Sequence, residues 1–131
     1  MNSGIPYQHL FDTVVDHLLT QAKKSLNASR HCLYKGPDGL QCAIGVLIDD
    51  KYYASVLEGE EVDDPSVLRA VCLSQHIDVS VPQSDNHFDL VGFLKDLQYT
   101  HDESHAYEWE RELKKHAASY GLEWNYKGQP Q

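Results

Sequence analysis

From Gln8 to Lys24 the apolar residues Leu10, Phe11, Val14, Val15, Leu18, Leu19 and Ala22 recur three and four positions apart, with Asp12, Asp16 and Lys23 on the other side. That period predicts an amphipathic helix, the clearest in the chain, ended by the polar cluster Asn27 to Arg30. The pattern then changes. Gly36, Pro37, Asp38 and Gly39 form a turn cluster in which proline presets φ and glycine accepts a positive φ. The flanking segments, Cys32 to Tyr34 and Leu40 to Ala43, are predicted to pair as an antiparallel hairpin, with Lys35 opposite Leu40 and Leu33 opposite Cys42. The first helix would close over one face of that hairpin.

After Gly45, the run Val46, Leu47, Ile48 suits one or two buried helical turns, and Glu58 to Asp64 reads as an acidic loop. Asp64 is placed to cap a short helix, with Pro65 at its first position and Val67, Leu68, Val71, Cys72 and His76 on the buried side. Asp78 to Asn86 is a turn-rich connection, from which Asp85 or Asn86 caps a helix carrying Phe88, Val91, Leu94, Leu97 and His101 inward. Ser104 is the predicted cap of a last helix containing Tyr107, Trp109, Leu113, Ala117 and Tyr120, with Gly121 as its C′ residue. Trp124 to Gln131 shows no periodicity. The sum predicts an α+β fold, about four helices packed on a small antiparallel β-hairpin, as one compact domain over residues 1–131. Its ordered core would cover about residues 6–121, leaving 122–131 as a tail.

Charge narrows the partners. The 131 residues carry 20 acidic against 11 basic side chains, a net −9, and the basic ones are scattered apart from Lys23 with Lys24 and Lys114 with Lys115. A binder of nucleic-acid backbones gathers its cations on one face, so direct nucleic-acid binding is not expected. The acidic field favours a basic protein partner, and nucleic-acid mimicry is a second way to use it. No apolar run approaches the roughly 20 residues that span a bilayer, and Met1 to Tyr7 lacks the regions of a signal peptide. The expected location is therefore the cytoplasm, with no membrane partner. Three cysteines, Cys32, Cys42 and Cys72, are an odd number for such a chain, and no disulfide framework is expected.

Four groups of residues bear on chemistry. Cys32 and Cys42 could serve as a redox pair, a nucleophile or metal ligands; free cysteine is equally a small core hydrophobe. His31, Cys32, Cys42, His101 and His105 could converge on zinc, but the short ligand spacing of structural sites is missing, so neither a metal site nor a cofactor is predicted. In His101-Asp102-Glu103-Ser104-His105, a general base oriented by an acid competes with charges that simply suit two helix ends. Gly45, where the predicted strand enters a helical turn, offers either an anion site or close packing against the first helix. Among the aromatics, Tyr34 and one of the adjacent Tyr52 and Tyr53 are candidates for a pocket rim or an interface.

The order of a long first helix, Cys32-x-Tyr34, the Gly36-Pro37-Asp38-Gly39 turn, Cys42-Ala43-Ile44-Gly45-Val46-Leu47-Ile48, an acidic stretch and a helix ending in His101-Asp102 resembles a family of small uncharacterised phage and prophage proteins. The resemblance covers about residues 8–121, although members tend to have proline at the place of Asp49 and cysteine at the place of Val46. It implies a setting, the host cytoplasm, in which small accessory proteins commonly act by binding. The leading expectation is stoichiometric inhibition of a host defence protein, with Tyr34, Asp38, Gly45 and Tyr53 as contacts and His101 as a polar wall. One alternative is sequestration of a nucleotide-like signalling molecule. The other is a small enzyme using Cys32 or Cys42 with His101.

Overall fold

The computed structural model describes residues 6–27, 29, 32–77 and 85–126. Four α-helices carry the fold: α1 (Tyr7–Gln21), α2 (Pro65–Ser74), α3 (Asp85–Glu103) and α4 (Trp109–Tyr120). Single 3₁₀ turns occupy Pro37–Gly39, Gly45–Leu47, Asp50–Tyr52, Ser55–Leu57 and Ala106–Glu108. Helix α4 packs against both α1 and α3, and α1 also packs on the 45–47 turn.

The predicted helices form for the reasons their sequences suggest. The α1 stripe Leu10, Phe11, Val14, Val15 and Leu18 is buried, and the helix stops where Ala22 turns left-handed at φ 56°. Asp64 caps α2 by accepting from the Ser66 N–H at 3.0 Å, with Pro65 at the first position. Gly121, at φ 67°, closes α4 and directs the Leu122 N–H back to the Ala117 carbonyl at 2.8 Å. In α3, Leu94, Leu97 and His101 point inward as expected, joined by Leu90 and Phe93. The side chain of Phe88, the connection at 78–84 and the end of the tail at 127–131 lie outside the described residues.

Two boundaries differ from the reading of the sequence. His105, not Ser104, opens the last helical segment. Its N–H donates to the Glu108 carboxylate at 2.9 Å, while the Ser104 N–H still bonds Thr100 as part of the end of α3. His76 is exposed with φ 60°, outside the buried face of α2.

The larger correction concerns the hairpin. Among the described residues there is no β-strand, only the isolated bridges Leu26 to Cys32 and Lys35 to Gln41. The fold is helical rather than α+β. The turn itself forms, with Asp38 at φ 58° and Gly39 at φ 78°, and the Gly36 N–H reaches the Leu40 carbonyl at 2.7 Å. Beyond it, side chains take the backbone groups that a ladder would use. The Glu58 carboxylate accepts from the N–H of Tyr34 at 2.9 Å and of Lys35 at 3.1 Å. The Gln21 amide donates to the Gln41 carbonyl at 2.9 Å and accepts from its N–H at 3.0 Å, as a neighbouring strand would. Backbone polar groups away from water must be paired, and once paired with side chains they leave nothing for strand pairing.

The helices and this ordered loop share one core. Leu10, Phe11 and Leu18 of α1, Phe93 and Leu97 of α3, and Trp109 and Leu113 of α4 meet Cys42, Ala43, Ile44, Leu47 and Ile48 from the segment after the turn. Leu122 to Tyr126 also belong to the ordered structure, beyond the expected limit of the core. Gln8 binds both backbone groups of Glu123, at 2.9 and 3.0 Å, and Trp124 sets its ring edge against Phe11. Among the described residues, no helix is long and apolar enough to cross a membrane.

Candidate functional site

Two segments meet at the last turns of α3. Lys24 Nζ donates to the Asp102 carbonyl at 2.9 Å, the Ser25 N–H donates to His101 Nε2 at 3.1 Å, and the Ile44 N–H donates to Gln98 Oε1 at 3.3 Å. Residues 98, 101 and 102 lie within about one helical turn, so a single stretch of α3 holds the start and the middle of the loop region. The acidic segment from Gly59 to Val62 closes the other side. Between them lies a cleft of about 350 Å³ lined by Cys32, Tyr34, Gly59, Glu60, Glu61, Val62, Lys95, Gln98, Tyr99 and Asp102.

Asp102 is the best-positioned polar group in the cleft. Its Oδ1 accepts from His101 Nδ1 at 2.8 Å and from Gln98 Nε2 at 3.2 Å, and the Cys32 thiol donates to the same carboxylate. The side chain nevertheless keeps 30 % exposure. Acidic groups outnumber cations around it. Lys95, the lining cation, is already 3.6 Å from Asp63. Tyr99 is 67 % exposed and offers an aromatic face.

His101 has no exposure and stacks on Trp109 at 5.4 Å between ring centroids. It stands behind Asp102 and is not itself a wall of the cleft. Because Nε2 accepts the Ser25 N–H, the ring proton sits on Nδ1 and points at Asp102.

This tautomer decides the metal reading. The Cys32 sulfur, a His101 nitrogen and an Asp102 oxygen lie within 4.8 Å of one another, close enough to surround a metal ion. A metal on Nδ1 would move the proton to Nε2, where it would face the Ser25 N–H, so these residues as placed do not fit one. His31 lies outside the described residues, and Cys42 Sγ accepts from the Gly45 N–H at 3.3 Å. The thiols are also poorly suited to nucleophilic attack. Burial and the hydrogen bond to Asp102 push Cys32 up to about 12, and burial pushes Cys42 up to about 12. Both remain protonated near neutral pH, whereas the thiolate is the reactive form.

The remaining candidates separate. Tyr34 lines the cleft, but its ring is mostly buried and its hydroxyl donates to the Glu60 carbonyl. Burial raises its pKa, as it does for Tyr53, which reaches about 12 beside Glu58. Tyr53 donates to Glu58 Oε2 at 2.6 Å and supports the loop instead of lining the cleft. Gly45 sits in close packing: α1 packs on the 45–47 turn that it begins, and an added Cβ would lie 1.8 Å from the Tyr34 carbonyl oxygen. Asp38 is exposed at the turn and is not among the cleft residues. Gln98 carries no mark of its own in the sequence, Tyr99 is one aromatic among many, and Glu60 and Glu61 stand out only as part of the acidic loop from Glu58 to Asp64. The i, i+4 relation of Gln98 to Asp102 was the available signal for the first of them. No family model, curated protein or solved structure matches this chain.

Proposed function

We propose that the protein acts by stoichiometric binding of a protein partner, and that the cleft between Gly59 to Val62 and α3 receives a basic segment of that partner. In the phage setting implied by the resemblance, the partner is a host protein and binding inhibits it. The observation that carries this reading is the cleft lining. Glu60, Glu61 and Asp102 face a concavity whose lysine is already paired, beside the exposed ring of Tyr99. Carboxylates with an aromatic face suit a guanidinium or ammonium group. Phosphates would meet like charge there, so sequestration of a nucleotide fits less well, and protonated thiols speak against the enzyme.

Calorimetric titration with a hexa-arginine peptide tests the proposal, with hexa-glutamate as control. The expected result is binding of the basic peptide alone, weakened by added salt and by Glu61→Lys. Stabilisation by nucleotides with no response to hexa-arginine would replace it with the small-molecule reading.

A further inference from the structure

We propose that His101, although hidden from solvent, is the positioning residue of the cleft: by donating from Nδ1 it fixes the Asp102 carboxylate toward the bound basic group. The inference rests on the cleft being the binding site and adds the residue that sets its geometry. Asp102 by itself is a short side chain near the end of a helix, free to rotate toward solvent. Three neighbours remove that freedom: His101 and Gln98 hold Oδ1, and the Cys32 thiol donates to the same group. His101 is the most rigid of the three. Its ring has no exposure, is stacked on Trp109, and is held at the far nitrogen by the Ser25 N–H. A donor that cannot move makes the acceptor directional, which lowers the ordering cost when a cation docks.

The same ring links the cleft to the segment leaving α1. Ser25 is fully buried and Lys24 reaches the Asp102 carbonyl. The bond pattern requires one tautomer, and that requirement is what distinguishes positioning from space-filling.

Two replacements separate the roles. In His101→Asn the amide nitrogen takes roughly the place of Nδ1 and can still donate to Asp102. In His101→Gln a polar atom reaches the place of Nε2 and can serve Ser25, while the donor to Asp102 is lost. Both variants lose the stack on Trp109, so both are expected to melt at a lower temperature. Affinity for hexa-arginine should part company with stability: retained in His101→Asn, weakened about tenfold in His101→Gln, the size of one charge-assisted hydrogen bond. Equal affinities in the two variants would overturn the proposal. Nitrogen-15 spectra of the wild-type ring give a reading that does not depend on the variants folding. A proton on Nδ1 with a bare Nε2 supports it, and a proton on Nε2 sinks it. If wild-type protein ignores hexa-arginine altogether, the binding role of the cleft falls, and the role of His101 falls with it.

Discussion

The two halves of this molecule are held together by different forces. In the half formed by α1, α3 and α4, Phe11, Phe93, Trp109 and Leu113 are buried against one another, and the backbone is satisfied inside each helix. In the half from Ala22 to Asp64, short turns satisfy part of the backbone, and side chains, several of them sent in from the helices, satisfy much of the rest. Gln21 serves Gln41, Gln75 serves Leu47, Gln98 serves Ile44, Ser74 serves Asp49, and Glu58 serves Tyr34 and Lys35. Burial is non-directional and sums over area, whereas each of these bonds contributes only about 1 kcal/mol and depends on aim. The helical half should therefore fail globally and the loop half locally.

The largest expected effect belongs to the helical half. Trp109 is fully buried, and its indole nitrogen has no hydrogen-bond partner among the described residues, so its contribution is packing. Trp109→Ala should destabilise the protein by about 3–5 kcal/mol through lost burial and the cavity left behind. Urea unfolding should show one transition at a lower midpoint with circular dichroism and fluorescence of Trp124 coinciding. A separate early transition in the helices would contradict the single shared core.

Glu58→Ala asks the same question of the loop half, with a smaller answer. It strands the N–H groups of Tyr34 and Lys35 and the hydroxyl of Tyr53. Groups left partly open to water recover some of that loss, so about 1–3 kcal/mol is expected. The sharper readout is hydrogen exchange. Amide protection should collapse at Tyr34 and Lys35 while the amides of α1 and α4 keep theirs. Uniform loss across both halves would erase the distinction between them.

The same contrast explains what could be read from the chain. Helix α1 was legible because Leu10, Phe11, Val14, Val15 and Leu18 repeat a period that burial alone enforces, and the α2 cap because Asp64 and Pro65 act on their own backbone. The stretch from Cys32 to Ala43 looked like a hairpin because its turn is a genuine turn, with Gly39 at positive φ. What it lacks is set at a distance: Gln21 and Glu58 intercept the backbone of residues 34, 35 and 41, and no local pattern announces that. Asp102 sits in the cleft for a similar reason. His101 and Asp102 stood out in the sequence as neighbours, but the opposite wall at Glu60 and Glu61 comes from a loop that only the fold brings near. His101 drew notice as a possible wall or base, and its burial against Trp109 makes it a support instead.

The smallest effect is a dependence on pH, and it belongs to the helical half. His116 lies among Phe11, Phe93 and Tyr120, and burial lowers its pKa, with Phe93's carbonyl and Asp96 offsetting part of the effect. His17, half-buried where α1 meets Gln41, is lowered for the same reason. Above the unfolded value of about 6.5, both are neutral in either state and contribute no slope. As pH falls through that value the unfolded chain takes up protons that the folded protein still refuses, so stability declines until the folded pKa values are passed. One full proton corresponds to a ceiling of about 1.4 kcal/mol per pH unit, and solvent screening keeps the share of half-buried His17 well below it. His116→Phe keeps an aromatic ring in the same cluster and removes the proton. Thermal melts should then show wild type losing stability relative to this variant from about pH 6.5 downward, before most carboxylates titrate. Parallel curves would mean that His116 accepts a proton as readily inside the helical core as outside it. The cluster around it would then be as accessible to water as the loop half, against the burial on which the contrast depends.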